Sequence, residues 1–237
     1  MYFEYYFLGI ILIPAIILAI YAQLKVQSNY NKYIKIKTEK NLTANEVASL
    51  ILNAADINDV TLEQVSGELT DHYDSKKLKI GISEKNFNST SVASIGIVAH
   101  ECGHAIQHAS NYFPLKLRHL VISVYNLASK LLMPIILIGL VFDFLLLING
   151  IAKIFLIAGI VVFGISLILN LVTLPVEFNA SRRALKILKE SEILNQEELK
   201  MAKKVLSSAA LTYVAAFLYS LLNFLRFVLI FARHRDN

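Results

Sequence analysis

The stretch "HECGH", residues 100–104, places two histidines and a glutamate at a spacing that can do chemistry. On a helix, residues four apart share a face, so His100 and His104 present two imidazoles to one point. Two imidazoles so placed can grip Zn2+, and Glu101, one position on, projects beside the open coordination position. There it can take a proton from a zinc-activated water and later deliver it to a leaving amine. The plainer reading is a pair of histidines lining or capping a surface helix. Against it, the preceding run "IGIVA" (95–99) is apolar, and an unpaired charged Glu in such a helix is costly without a function.

A catalytic zinc needs three protein ligands and one open position. The residue ten beyond His100 is Ser110 rather than a third histidine. His108 lies four beyond His104 on the same face but a full turn further along, which suits a supporting or surface role better than ligation. Cys102 points off that face and reads as a small buried apolar residue. The expected third ligand is therefore a carboxylate on another segment, and "LPVEFNASRRAL" (174–185) supplies Glu177. The cofactor expected from this set is one Zn2+ per chain.

The elements that must position these residues are partly those of a membrane protein. The chain has 237 residues, of which 56% are hydrophobic, against the 45–50% usual for soluble domains. The excess is gathered into runs. Residues 7–23 carry no charge and can cross about 30 Å of hydrocarbon as a helix. A signal peptide would need a basic segment ahead of its apolar run, and only Glu4 is charged there. Residues 120–148, 154–174 and 205–232 are three further candidate spans, the last with Asn223 and Arg226 inside it.

From Leu24 to about Arg118 the composition is that of a soluble unit. Residues 43–57 read as an amphipathic helix, with Thr43 as N-cap and Glu46 three residues later. Residues 60–69 and 76–83 alternate like short strands, joined as a hairpin through the turn-like "DHYDS". A helix carrying HECGH follows. The expected fold is a mainly α membrane protein: about four transmembrane helices plus a small α+β catalytic unit. Its segments are an N-terminal span (1–23), the α+β unit (24–118), a transmembrane hairpin (119–174), a membrane-adjacent helix with Glu177 (175–204), and a C-terminal span and tail (205–237).

The net charge of +5 is scattered among acids with no basic stripe, so nucleic acid is not an expected partner. The single cysteine allows no intrachain disulfide. Residues 24–118 hold eleven Lys and Arg and residues 175–204 hold seven. Four spans put both stretches on one side of the bilayer, and the positive-inside bias makes that side cytoplasmic. Arg233 and Arg235, on the opposite side, vote the other way. The expected location is thus the cell membrane, multi-pass, with the site on the cytoplasmic face.

"HECGHAIQH", with "LTDHYD" before it and "LPVEFNASRRAL" after it, resembles the YugP-like neutral zinc metallopeptidases of bacterial membranes over nearly the whole chain. That family is in turn similar to the HtpX-like membrane metalloproteases, in which a downstream Glu in an E-x-x-A-D setting completes the zinc site. The resemblance implies a zincin-like unit of gluzincin type, His100, His104 and Glu177 as ligands, and Glu101 as general base. It also implies protein or peptide substrates at the bilayer. This chain departs from the pattern in carrying Ser181 at the position of the Asp and Asn179 where YugP-like chains commonly carry Asp. Ser181 or Asn179 would then offer a ligand histidine a neutral hydrogen bond in place of a carboxylate.

Four other residues are candidates for lesser roles. His72 and Tyr73 could reach the site from the strands, or stabilise a turn. Arg182 and Tyr213 could steady an oxyanion, or pair with headgroups and pack. Strand 76–83 could accept an extended substrate by strand addition. The reading from another class is a non-catalytic, zinc-stabilised membrane scaffold or chaperone-like protein, which would have no need of Glu101. A metal transporter is less favoured, because no span carries a paired acidic row.

Overall fold

The computed structural model describes residues 9–146 and 151–235. The chain is mainly helical and divides into two compact units. One comprises residues 1–20, 116–174 and 213–237; the other comprises 21–115 and 175–212. In chain order the helices are α1 (Ile13–Tyr33), α2 (Ala44–Ala54), α3 (Glu84–Phe87), α4 (Val92–Ala109), α5 (Phe113–Leu146), α6 (Ile151–Glu190) and α7 (Gln196–Arg235). The strands are β1 (Thr61–Val65), β2 (His72–Asp74) and β3 (Lys79–Ser83).

The second unit folds around α4. Helix α2 starts with a capping box: the Glu46 backbone N–H donates to Thr43 Oγ1, and the Thr43 N–H donates to Glu46 Oε2 at 2.8 Å. Its apolar face, Val47, Ala48, Ile51 and Leu52, packs into one core with Ile80 and Ile82 of β3 and with Val92, Ile95, Val98 and Cys102 of α4. Ala184 and Leu188 of α6 and Ala202 and Leu206 of α7 join the same core. Helix α7 is set by Asn195, whose Oδ1 accepts from the N–H groups of Glu197 and Glu198, both at 3.0 Å. The buried Glu198 carboxylate returns the bond to the Asn195 N–H at 2.8 Å and also accepts from the Glu39 N–H at 2.7 Å.

The expected hairpin of 60–69 with 76–83 is not formed. The sheet order is β1-β3-β2, with β1 parallel to β3 and β2 antiparallel to it. The "DHYD" segment, expected as a turn, supplies the edge strand β2. Asp71 explains why: its carboxylate accepts from the Ser83 N–H (3.0 Å), the Ser83 hydroxyl (2.9 Å) and Asn86 Nδ2 (2.8 Å). Those three bonds tie the start of β2 to the end of β3 and to α3. Gly81 is needed at the centre of β3, because a Cβ there would lie 2.6 Å from the His72 ring and 3.0 Å from Val65. Since β3 is paired on both sides, it has no free edge for strand addition; the sheet's edges are β1 and β2.

Within the first unit, Phe163 and Phe227 stack at 4.9 Å. Asn170 and Asn223, polar residues in apolar helices, donate to the carbonyls of Ser166 and Tyr219 one turn back. Among the described residues two helices are long and apolar enough to cross a membrane, Ile157–Glu190 and Gln196–Ala232, where four were expected. The expected spans 7–23 and 120–148 lie partly outside the described residues, at 7–8 and 147–148. In α1 the apolar run gives way at Gln23 and Lys25, which leaves its described part shorter than a span requires.

Candidate metal centre

Helix α4 carries His100, Glu101 and His104, and α6 carries Glu177. The one-turn spacing of the histidines sets their rings edge-to-face, 4.7 Å apart between centroids. Glu177 Oε2 lies 3.2 Å from His100 Nε2 and 3.5 Å from His104 Nε2. All three candidate ligand atoms lie within 4.8 Å of one another. An ion bound tetrahedrally at about 2.0–2.1 Å has ligand atoms about 3.3–3.4 Å apart, so both histidine–carboxylate separations suit zinc. A His2Glu donor set is also the chemistry of a zinc site that keeps one position open.

What brings the two helices this close is a residue inside the motif itself. A Cβ on Gly103 would lie 2.7 Å from the carbonyl oxygen of Ala180 and 3.2 Å from its Cα. Only glycine allows α6 to cross α4 there, one turn below Glu177. The site that results is nearly dry: Glu177 is 2% exposed, His104 8% and Glu101 9%.

The ring nitrogens away from Glu177 are held as well. His100 Nδ1 lies 3.1 Å from the Ser181 hydroxyl. His104 Nδ1 lies 3.0 Å from Gln107 Oε1. A chain of obligate roles fixes the proton on that second histidine. Arg183 Nε can only donate, and it reaches Asn179 Oδ1 at 2.9 Å, which makes that atom the oxygen. Gln107 places its amide nitrogen 3.0 Å from the same oxygen and 2.8 Å from the Val176 carbonyl. Its remaining atom is then an acceptor, so His104 Nδ1 carries a proton, and Nε2 is the nitrogen that would ligate a metal. Burial acts to lower the His104 pKa, but the bond to Glu177, the charges of Glu101 and Glu177, and the Gln107 bond leave it raised. The Glu101 carboxylate makes no hydrogen bond or ion pair among the described residues.

Over residues 8–232 the sequence matches the family described as "Putative neutral zinc metallopeptidase". The chain belongs to this zinc metallopeptidase family. It is 42% identical over 224 residues, 94% of this chain and 96% of the relative, to "Putative membrane protease YugP" of Bacillus subtilis (strain 168). No solved structure matches it. Family membership agrees with the histidine–carboxylate cluster in pointing to zinc, and the relative's name points to a protease at a membrane.

Within this family member the other candidates fall in several places. Ser181 bonds a cluster histidine, whereas Asn179 bonds Gln107 and Arg183 and hydrogen-bonds neither histidine. His72 packs over Gly81 and its Nδ1 lies 2.8 Å from the Thr70 carbonyl, so its contacts are those of the sheet. Tyr73, on the opposite face of β2, hydrogen bonds His108 Nδ1 at 2.9 Å. Burial, then the charges of Asp59 and Asp74, push the Tyr73 hydroxyl up to about 12. Arg182 is exposed, and Tyr213 belongs to the other compact unit. Cys102 is buried with its Sγ 3.9 Å from the Ala48 carbonyl, and burial pushes its thiol up. Gln107 and Gly103 were missed by sequence reasoning. The available signal was an amide three residues past a candidate ligand and a glycine within the motif.

Proposed function

We propose that the chain is an integral membrane zinc endopeptidase holding one zinc through His100, His104 and Glu177. The observation that carries this reading is the convergence of two imidazole nitrogens and a carboxylate oxygen within 4.8 Å, beside the unpartnered, nearly buried carboxylate of Glu101. Zinc at such a site polarises the scissile carbonyl and lowers the pKa of water. Glu101 acts as general base: its carboxylate accepts the proton of the attacking water and passes it to the nitrogen of the departing amine, which regenerates the base. Ser181 and Gln107 hold the histidine rings from behind, and the dry setting of α4 strengthens each electrostatic contact. The two long apolar helices support a multi-pass membrane protein. The Lys and Arg distribution supports a cytoplasmic site acting on membrane or unfolded polypeptides.

The test pairs bound zinc with cleavage of casein by detergent-purified protein, for wild type and Glu101→Gln. The expected result is about one zinc per chain in both, with cleavage lowered about 10²–10⁴-fold in the variant. Zinc in both proteins with equal cleavage would remove Glu101 from the mechanism. Zinc with no cleavage of any polypeptide would favour the scaffold reading.

A further inference from the structure

We propose that a lysine-lined pocket between α1 and α7 binds the phosphate of an anionic lipid headgroup. The pocket, about 490 Å³ in volume, lies within the second unit and is lined by Lys25, Asn29, Lys200, Lys203, Lys204 and Ser207, among others. Asn29 Nδ2 donates to the Lys204 carbonyl at 3.2 Å, which pins the two walls together. Lys200 is held by Glu197 at 2.7 Å and Lys25 reaches the Tyr21 hydroxyl at 3.2 Å. Among the described residues neither Lys25, Lys203 nor Lys204 forms an ion pair. Three ammonium groups therefore line one concavity without a salt bridge, the nearby Glu197 being bonded to Lys200 and only within charge range of Lys204, and an anion with several acceptor oxygens suits them.

The lipid source follows from what adjoins the lysines along each helix. In α1 the exposed side chains of Tyr21 and Leu24 lead directly to Lys25. In α7 the lysines at 200, 203 and 204 are followed by Val205 and Leu206, which are buried in the core, and by Ser207 and Ser208, which line the pocket. One wall carries ammonium and hydroxyl groups and the other turns apolar at the pocket, so a ligand with a charged head and a hydrocarbon tail meets both. Free phosphate would use only the lysines.

The proposal rests on the membrane reading, which alkaline extraction of isolated membranes checks separately: release without detergent would overturn that reading itself. The binding test titrates the detergent-solubilised full chain with phosphatidylglycerol and with phosphatidylcholine, followed by native mass spectrometry. Wild type is expected to bind phosphatidylglycerol saturably and preferentially. The Lys25→Gln/Lys203→Gln/Lys204→Gln variant is expected to bind it about a hundredfold more weakly, from the contribution of each lysine near a membrane surface. A control, Lys35→Gln/Lys76→Gln/Lys77→Gln, removes equal charge from exposed sites elsewhere and is expected to bind as wild type does. Zinc content and melting temperature confirm that each variant is folded. Equal weakening in the two variants would mean diffuse attraction and overturn the proposal, as would unchanged binding in the pocket variant. Displacement of the lipid by equimolar inorganic phosphate would assign the pocket to the free anion instead.

Discussion

Replacing Gln107 with leucine removes the acceptor that holds His104 while nearly conserving buried volume. Gln107 is fully buried and makes three hydrogen bonds, to His104, Val176 and Asn179. Asn179 Oδ1 keeps its bond from Arg183, and the Val176 carbonyl lies within α6, where the helix's own ladder serves it. The uncompensated loss is the N–H of His104 Nδ1, a buried donor left unpaired at about 1–3 kcal/mol. Freed of this bond, the ring can turn or take its other tautomer, which withdraws the Nε2 lone pair from a metal held beside Glu177. Loss of such a supporting bond lowers metal affinity about 10–100-fold. The assay is competition for zinc against a chromophoric chelator at fixed pH, alongside thermal unfolding of the metal-free protein. Gln107→Glu, which keeps an acceptor for Nδ1, is expected to retain zinc better than Gln107→Leu. A leucine variant that melts lower yet binds zinc as wild type does would refute the reasoning and reduce Gln107 to a packing residue.

Other outcomes follow from the same geometry. Gly103→Ala puts a methyl 2.7 Å from the Ala180 carbonyl; the overpacking costs about 1–3 kcal/mol, against about 1 kcal/mol gained in helix propensity. Stability should fall by up to about 2 kcal/mol, and zinc affinity, measured by the same competition, should fall as α6 is pushed from α4. Asp71→Ala removes three bonds to Ser83 and Asn86 and should lower stability by at least about 1.5–3 kcal/mol, read by denaturant unfolding. Stripping zinc with a chelator should lower the melting temperature, and re-addition should restore it; a Glu177→Gln chain should show a much smaller shift. The Thr43 N–H, then the Thr43 hydroxyl, hold the Glu46 carboxyl below its usual range. Its depressed folded pKa means that the capping bond stabilises above the unfolded pKa and is lost as pH falls through the folded one. Glu46→Gln should therefore flatten the acid limb of the stability profile.

How far this protein is legible without its structure depends on the range of the interaction concerned. HECGH, the Thr43–Glu46 capping box and the apolar runs are local patterns. They follow from helix periodicity and N-terminal hydrogen bonding, and need only neighbours three or four residues apart. Glu177 could be nominated by sequence because zinc chemistry demands a third ligand. Its distance from His100, across 77 residues of chain, was decided by the packing of α6 on α4, which Gly103 allows. The strand order was misread for a similar reason. Alternation marks a strand but not its partner, and the bonds from Asp71 to Ser83 and Asn86 that set β2 beside β3 leave no periodic trace. Ser181, Asn179 and Gln107 differ in the same way: all three are polar residues near the candidate ligands in sequence, and only the fold pairs Ser181 with His100 and strings Asn179 and Gln107 between Arg183 and His104. Residue types and short spacings fix which chemistry is available, because they act within one helix turn. Which atoms meet is a property of helix crossings and strand register, and these depend on the whole packed unit.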